Sequence, residues 1–343
     1  MEFRTIVDVP KVPFQIEPRE EMLFVGSCFA DSIGHRFQDE QFRATVNPYG
    51  TMYNPASVLH TIERYEGKPR IVFITLGTNH VYRLKETGEI VDNCQKRPAA
   101  LFQEEQLTVD ECADYLCRAI CLLRSRRPDV HVVLTVSPIR YRKYGYHESQ
   151  LSKATLLLAA DMICHGQPRT TRTVPLPDEV SPIPCPSVSR ISPCPSVSRT
   201  SPCPSVSRVS PCPSVPCVSP CPSVACASPC PSVACARTCP SVACARPCPS
   251  VAYFPAYEIV MDELRDYRFY ADDMLHPSSQ AVEYIWERLV DSCFSPRAKE
   301  FLREWAPLKA ALAHRPFNPD SPEYRQFIAE TRAKIDALLN RYQ

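Results

Sequence analysis

The chain has 343 residues, with 39 basic and 38 acidic side chains and a formal net charge of +1. This balance, without a long basic run, argues against a polyanionic partner such as a nucleic acid. No apolar run reaches the roughly 18 residues that a membrane helix needs, and the acidic N-terminal residues do not form a signal peptide. We therefore expect a cytoplasmic protein that does not contact membranes.

Apolar runs and helix signals divide the chain into alternating strands and helices. Thr108, with Glu111 three residues later, has the pattern of a capping box ahead of residues at helical spacing. Leu151 and Leu158 belong to an apolar set that marks a second long helix. We predict strands over 23–25, 70–76, 131–136 and 251–254, and helices over 28–37, after 108, around 151–162, after 278, and over 297–312 and 321–342.

Continuous apolar strands that alternate with helices predict an α/β fold. We expect three layers, α/β/α, with a mostly parallel sheet and additional C-terminal helices. Binding sites in such sheets form at the carboxyl ends of the strands. Ser27, Gly77, Thr78 and Ser137 come at or just after the ends of predicted strands. They should therefore meet at one edge of the sheet.

A repeat interrupts this pattern. Cys-Pro-Ser-Val occurs eight times at nine-residue spacing between Cys185 and Cys248. The frequent prolines oppose both helices and strand ladders, so we predict a disordered insert over 182–250. A calcium-binding solenoid would need Gly and Asp, and a zinc site would need Cys-x-x-Cys spacing. The expected organisation is a domain over 1–295 interrupted by this insert, followed by a helical appendage over 296–343.

The 19 cysteines do not form a disulfide pattern. Twelve of them fall inside the repeat, and the other seven are scattered. Cys117 and Cys121 lie four residues apart on a predicted helix, which is a spacing that can chelate a metal. Because no histidine lies near them, we interpret them as buried apolar cysteines and expect no metal site.

Ser27 is the candidate nucleophile. It follows the apolar run that ends at Gly26, and a sharp turn there would present its hydroxyl at the rim of the sheet. A serine at this place is also a common helix N-cap. Cys28 is a rival nucleophile, since a thiolate at a helix start is favoured by the helix dipole.

His276 is the candidate base, with Asp273 three residues earlier as the group that orients it. In an irregular turn, this spacing can bring the carboxylate against one ring nitrogen, which fixes the tautomer and stabilises the imidazolium. Asp272 is a neighbouring alternative. Ser27, Asp273 and His276 together supply the roles of nucleophile, orienter and base.

The motif Phe24–Ala30 resembles the signature of the GSCFA family. Further matching blocks include Asn47-Pro48-Tyr49-Gly50, Thr75-Leu76-Gly77-Thr78, Asn93-Cys94-Gln95-Lys96 and Asp273-Met274-Leu275-His276-Pro277. The family is similar to SGNH or GDSL-like hydrolases. The resemblance implies their flavodoxin-like three-layer fold and activity as esterases or deacylases of small acyl groups.

The resemblance also implies an oxyanion hole. Its candidate donors are the main-chain amide of Ser27 or Cys28, Gly50 or the amide of Asn47, and the side chain of Asn79 or Asn93. His80 replaces the acid usual in the third SGNH block, and we otherwise expect it on the surface. Residues of the same blocks are candidates for substrate binding: Asn47, Tyr49, Gly77, Thr78 and Lys96. Lys96 and Lys153 would suit an anionic group, although solvated or capping lysines are commoner.

These observations predict a serine esterase or deacylase that acts on a small acyl ester, with an acetylated sugar as one candidate. No cofactor is expected. Two alternatives stay open: an acyltransferase that uses the same triad, and a binding or scaffold protein on the same fold. The expected partner is the small-molecule substrate, and the oligomeric state is left open.

Overall fold

The computed structural model describes residues 4–92, 97–165 and 250–342. The strands of this part are β1 (Glu21–Gly26), β2 (Arg43–Val46), β3 (Ile71–Leu76), β4 (His80–Leu84), β5 (Ile90–Val91), β6 (Phe102–Gln106), β7 (His131–Val136) and β8 (Val251–Tyr253). Five of them form a sheet in the order β2-β1-β3-β7-β8, in which every neighbouring pair is parallel. A small antiparallel sheet has the order β5-β4-β6.

Helices cover both faces of the parallel sheet. They are α1 (Cys28–Asp39), α2 (Pro55–Arg64), α3 (Val109–Arg126), α4 (Gly145–His165), α5 (Ala256–Glu258), α6 (Ser279–Cys293), α7 (Pro296–Ala313) and α8 (Pro322–Arg341). Successive strand residues point to opposite faces. Met22 and Phe24 accordingly pack with α1 and α6, while Leu23 and Val25 pack with α2, α3 and α4. The predicted three-layer α/β/α fold is confirmed.

The C-terminal helices pack on the face that carries α1 and α6. Phe301 and Trp305 of α7 and Leu338 of α8 are buried in that core, and Trp305 Nε1 donates a hydrogen bond to Asp39 O (3.1 Å). The domain boundary at 295 stays a prediction. The predicted insert over 182–250 lies outside the described residues, except for Ser250.

Local sequence signals located most of the long elements. The capping box at the start of α3 is present, because Thr108 Oγ1 accepts from Glu111 N (3.3 Å) and Glu111 Oε2 accepts from Thr108 N (2.8 Å). The short β2, the helix α2 and the antiparallel sheet were not predicted. None of the helices in the described part of the chain combines the length and apolarity that crossing a bilayer requires.

The structure shows which faces of α4 and α3 are buried. Leu151 and Leu158 mark α4 correctly and are 50% and 56% exposed, while Ser152 and Lys153 lie on its buried side. Cys121 of α3 is exposed and Cys117 is half-buried, so the pair is not a set of core cysteines.

β1 ends in a very close approach to β3. Gly26 has φ +143°, and a Cβ added there would lie 2.1 Å from Thr75 O. The next amide, Ser27 N, donates to the same carbonyl oxygen at 3.1 Å. Only glycine fits at this position, because a side chain would push β1 and β3 apart at the edge that carries Ser27.

Replacing Gly26 should therefore cost far more than replacing a glycine that is needed for conformation alone. We expect Gly26→Ala to lower the free energy of unfolding by about 3 kcal/mol or more, through backbone strain and the clash with Thr75. Gly88→Ala is the control, since Gly88 also has positive φ but no atom within 4 Å, and it should cost about 1 kcal/mol. If urea unfolding shows that Gly26→Ala and Gly88→Ala lower the free energy of unfolding by equal amounts, this explanation is wrong.

Candidate active site

Ser27 lies at the junction of β1 and α1 and is the N-cap of α1. Its Oγ accepts a hydrogen bond from Phe29 N at 3.3 Å, which satisfies one of the free amides at the helix start. The residue is only 2% exposed. The interpretation of Ser27 as a helix N-cap is thus confirmed. Any nucleophilic role of this serine must coexist with its role as a cap.

Gly77 and Tyr53 form the wall next to Ser27. A Cβ added to Gly77 would lie 3.3 Å from Ser27 Cβ and 3.3 Å from Tyr53 Cδ1. The phenol oxygen of Tyr53 is 3.7 Å from Cys28 Sγ, and burial, followed by the contact with Cys28, raises the pKa of this phenol. Tyr53 therefore borders both candidate nucleophiles.

Asn47 ties the turn after β1 to α1. Its Oδ1 accepts from Gly26 N at 2.9 Å, and its Nδ2 donates to Asp31 Oδ1 at 2.8 Å. Thr51 Oγ1 donates to the other oxygen of Asp31 at 3.2 Å. The Asn47 side chain is therefore used inside the protein, and its contact with substrate stays a prediction.

The loop before α6 forms the predicted contact between Asp273 and His276. Asp273 Oδ2 lies 2.5 Å from His276 Nδ1, while Oδ1 accepts from the amides of Leu275 and His276, both at 2.9 Å. These amides, with the imidazole, lower the pKa of Asp273 to about 2. The carboxylate is thus ionised at neutral pH and holds the ring, with Nε2 as the remaining nitrogen.

Ser27 and His276 lie at the same edge of the parallel sheet. Ser27 follows the carboxyl end of β1, and the His276 loop meets the segment after β7, where Arg140 N donates to Leu275 O at 3.4 Å. The helices α1 and α6 run in the same direction from this edge. They are joined by Arg36, whose Nε lies 2.9 Å from Glu283 Oε2.

The predicted contact between Ser27 and His276 is not formed in this conformation. Among the described residues, no hydrogen bond joins Ser27 Oγ to His276. Ser27 Oγ accepts from Phe29 N, and His276 Nδ1 contacts Asp273. Catalytic hydrogen bonds are often long in unliganded enzymes and tighten with substrate. The structure therefore places the predicted nucleophile, Ser27, and the Asp273–His276 pair at one edge of the sheet without a contact between them.

The predicted oxyanion donors are engaged elsewhere. Ser27 N donates to Thr75 O (3.1 Å), Gly50 N to Asn47 O (2.9 Å), and Asn79 Nδ2 to Leu107 O (2.7 Å). Asn93 lies outside the described residues. The amide of Cys28, as the first in α1, has no partner within the helix and is the donor best placed beside Ser27.

Helix α4 holds the loop after β3 by two polar side chains. Lys153 Nζ donates to Gly77 O at 2.6 Å, and Ser152 Oγ contacts Thr78 Oγ1 and accepts from Asn79 N, both at 3.0 Å. Lys153 is 1% exposed. Burial, with a smaller contribution from Arg140, lowers its pKa to about 7. The expectation of a solvated lysine is wrong here.

The other predicted contact residues are spread around the site. Tyr49 is 44% exposed and donates through its hydroxyl to Arg64 O (2.9 Å), so it lies on the outer surface. Thr78 is buried beneath α4. Lys96 lies outside the described residues. Substrate contacts by Tyr49, Thr78 and Lys96 therefore stay predictions.

His80 is buried, which corrects the expectation of a surface histidine. It is 6% exposed, its ring stacks on Tyr144 with centroids 3.8 Å apart, and its Nδ1 lies 3.3 Å from Glu104 Oε1. Burial lowers its pKa. The neutral ring packs between the antiparallel sheet and the start of α4.

Sequence reasoning missed Tyr53 and Arg140 and assigned Lys153 too little weight. The signal for Lys153 was its position beside Ser152 within an apolar helix, four residues after Ser149. Ser149, Ser152 and Lys153 are all buried. A polar stripe of this kind on a helix indicates a buried polar contact, and here the contact is the loop beside Ser27.

Comparison with known proteins supports a family assignment. A model described as "GSCFA family" matches residues 21–70, 66–171 and 209–289, which is more than half of the chain. A second, described as "GSCFA domain protein, C-terminal domain", matches residues 305–343. Ser27, Asp273 and His276 all fall within the first set of matches. No curated protein matches the chain.

The buried Lys153 should make stability depend on pH. Because its pKa is about 7 in the folded protein and about 10.4 in an unfolded chain, the unfolded state binds more protons between these values. The free energy of unfolding should rise with pH across this window, by about 1 kcal/mol per pH unit relative to Lys153→Met. Urea unfolding between about pH 7 and 9.5 measures this.

Lys68→Met, at an exposed position, serves as the control and should show no such trend against wild type. A difference between wild type and Lys153→Met that stays constant with pH would mean that Lys153 does not titrate in this range.

Proposed function

The chain belongs to the GSCFA family, and we propose that it is a serine hydrolase of small acyl esters. The observation that carries the proposal is the Asp273–His276 pair, held at the same edge of the sheet as Ser27. Acylated sugars are the substrate class that the resemblance to SGNH hydrolases favours. The same residues would serve an acyltransferase, in which an alcohol accepts the acyl group in place of water.

Each residue has a defined role in the proposed reaction. His276 Nε2 takes the proton of Ser27 as Oγ attacks the ester carbonyl carbon, and Asp273 stabilises the imidazolium that forms. The amide of Cys28 donates to the oxyanion. The alcohol leaves with the proton from His276, and water, activated by the same ring, then releases the acyl group from Ser27.

The reaction requires the Ser27 hydroxyl and His276 Nε2 to come within hydrogen-bond distance of each other. In the structure, Oγ faces Phe29 N, and Tyr53 and Gly77 border the residue. A change of rotamer at Ser27, together with movement of the exposed His276 loop, would bring these two groups together. His276 and Asp273 side chains are 41% and 44% exposed, which leaves this loop with room to move.

A non-catalytic binding protein is the second candidate function. The burial of Ser27 and the use of its hydroxyl as a helix cap favour this alternative. It differs from the hydrolase in one measurable respect, because it forms no covalent adduct at Ser27.

A fluorophosphonate probe tests the proposal directly. We expect it to label wild type and Cys28→Ala but not Ser27→Ala, because only the serine hydroxyl is activated by His276. Labelled peptides identified by mass spectrometry give the site. Labelling lost in Cys28→Ala and retained in Ser27→Ala would assign the thiol instead, and an unlabelled wild type would favour the binding protein.

Turnover of p-nitrophenyl acetate tests the roles of the pair. Ser27→Ala and His276→Ala should each lower kcat/KM by about 10³-fold or more, and Asp273→Asn by about 10²- to 10⁴-fold, since the amide no longer fixes the ring. Asp272→Asn, at the neighbouring alternative, should leave turnover within about twofold of wild type. If Asp272→Asn is the damaging change, the assignment of Asp273 is wrong.

A further inference from the structure

Two cationic side chains, Lys153 and Arg140, lie beside the proposed site without an acidic partner among the residues that the structure describes. Lys153 Nζ donates to Gly77 O at 2.6 Å, and Gly77 packs against Ser27. An ammonium has three N–H donors, and Gly77 uses one of them. Within the ranges that the structure describes, no carboxylate forms an ion pair with Lys153 or Arg140.

Arg140 approaches the site from the side of the base. Its main-chain amide donates to Leu275 O, next to His276, at 3.4 Å. Its Nη2 contacts only a weak acceptor, Met261 Sδ, at 3.1 Å, and its buried Nη1 has no hydrogen-bond partner among the described residues. The positive charge of Arg140 also counteracts the effect of burial on the pKa of Tyr257 and Tyr270, so it lies among phenols.

Lys153 and Arg140 differ in whether they can lose their charge. A buried lysine can lose its proton, and the lowered pKa of Lys153 reflects this. A guanidinium stays charged. Arg140 is half-buried, and keeping its Nη1 out of water without an acceptor is costly unless an anion is supplied. The part of the protein that the structure describes does not supply one.

We propose that the substrate carries an oxyanion group, a carboxylate or a phosphate, which Arg140 binds near the buried ammonium of Lys153. This inference rests on the proposed esterase function, because the anion would lie between the His276 loop and the wall that Gly77 and Tyr53 form next to Ser27. The planar fork of an arginine suits both oxyanions, since it offers two parallel N–H donors. An anion there would also favour the protonated form of Lys153.

Two esters that differ in one charge test the proposal. We compare p-nitrophenyl butyrate with mono-p-nitrophenyl succinate, whose acyl chain ends in a carboxylate where the butyrate ends in a methyl group. After subtraction of hydrolysis without enzyme, which the neighbouring carboxylate of the succinate ester accelerates, wild type should show a kcat/KM for the succinate ester about tenfold or more above that for the butyrate ester. Arg140→Gln should lower this ratio by about tenfold or more. A ratio measured within one variant is insensitive to the fraction of folded protein.

Arg142→Gln is the matched control, because it removes the same charge from an exposed position two residues away, and it should leave the ratio unchanged. Arg140→Lys keeps the charge without the fork and should restore part of the preference. No preference for the anionic ester in wild type, or a ratio unaffected by Arg140→Gln, overturns the inference while leaving the esterase function intact.

A binding measurement separates failure of this inference from failure of the esterase function. Succinate or inorganic phosphate, at ionic strength matched with chloride, should raise the Tm of wild type and of Arg142→Gln but not that of Arg140→Gln. The two anions distinguish a carboxylate site from a phosphate site. If neither ester is hydrolysed, the anion-induced increase in Tm is the test of the anion site. If the Tm of wild type does not increase, the anion site is wrong.

Discussion

The contact between the ends of β1 and β3 is the constraint on which the rest of the site depends. Gly26 lets the two backbones approach so closely that Thr75 O accepts from Ser27 N (3.1 Å). This places the start of α1 against the loop after β3, so that Gly77 lies next to Ser27. The remaining polar contacts hold this geometry: Asn47 fixes the turn from one side, and Lys153 fixes the Gly77 loop from the other.

Main-chain carbonyls serve as partners for many of the buried polar groups at this edge. The amides of Gly77 and Thr78 both donate to Tyr53 O at 2.8 Å, and Asn79 Nδ2 donates to Leu107 O at 2.7 Å. Buried polar groups are costly when unpaired. This explains why the predicted oxyanion donors are engaged within the protein. Arg140 differs from them, because no carboxylate pairs with it in the described part of the chain.

Features set by neighbouring residues could be predicted from the sequence, and those set by distant packing could not. The Asp273–His276 contact needs only a tight turn, and the α3 capping box needs only four residues. The buried face of α4 is different. Ser152 and Lys153 point inward because the Gly77–Asn79 loop offers them hydrogen bonds. His80 was misjudged for the same reason, since its burial depends on Tyr144, more than sixty residues away along the chain.

The N-cap at Ser27 has a consequence for any covalent intermediate. Once Oγ carries an acyl group, it is an ester oxygen and a much weaker acceptor for Phe29 N, whose bond to the free hydroxyl is 3.3 Å. Loss of an N-cap typically costs about 1 kcal/mol. The acylated protein would therefore begin α1 with a frayed first turn, and deacylation would recover that energy. Turnover and the winding of one helix end would be coupled through a single oxygen atom.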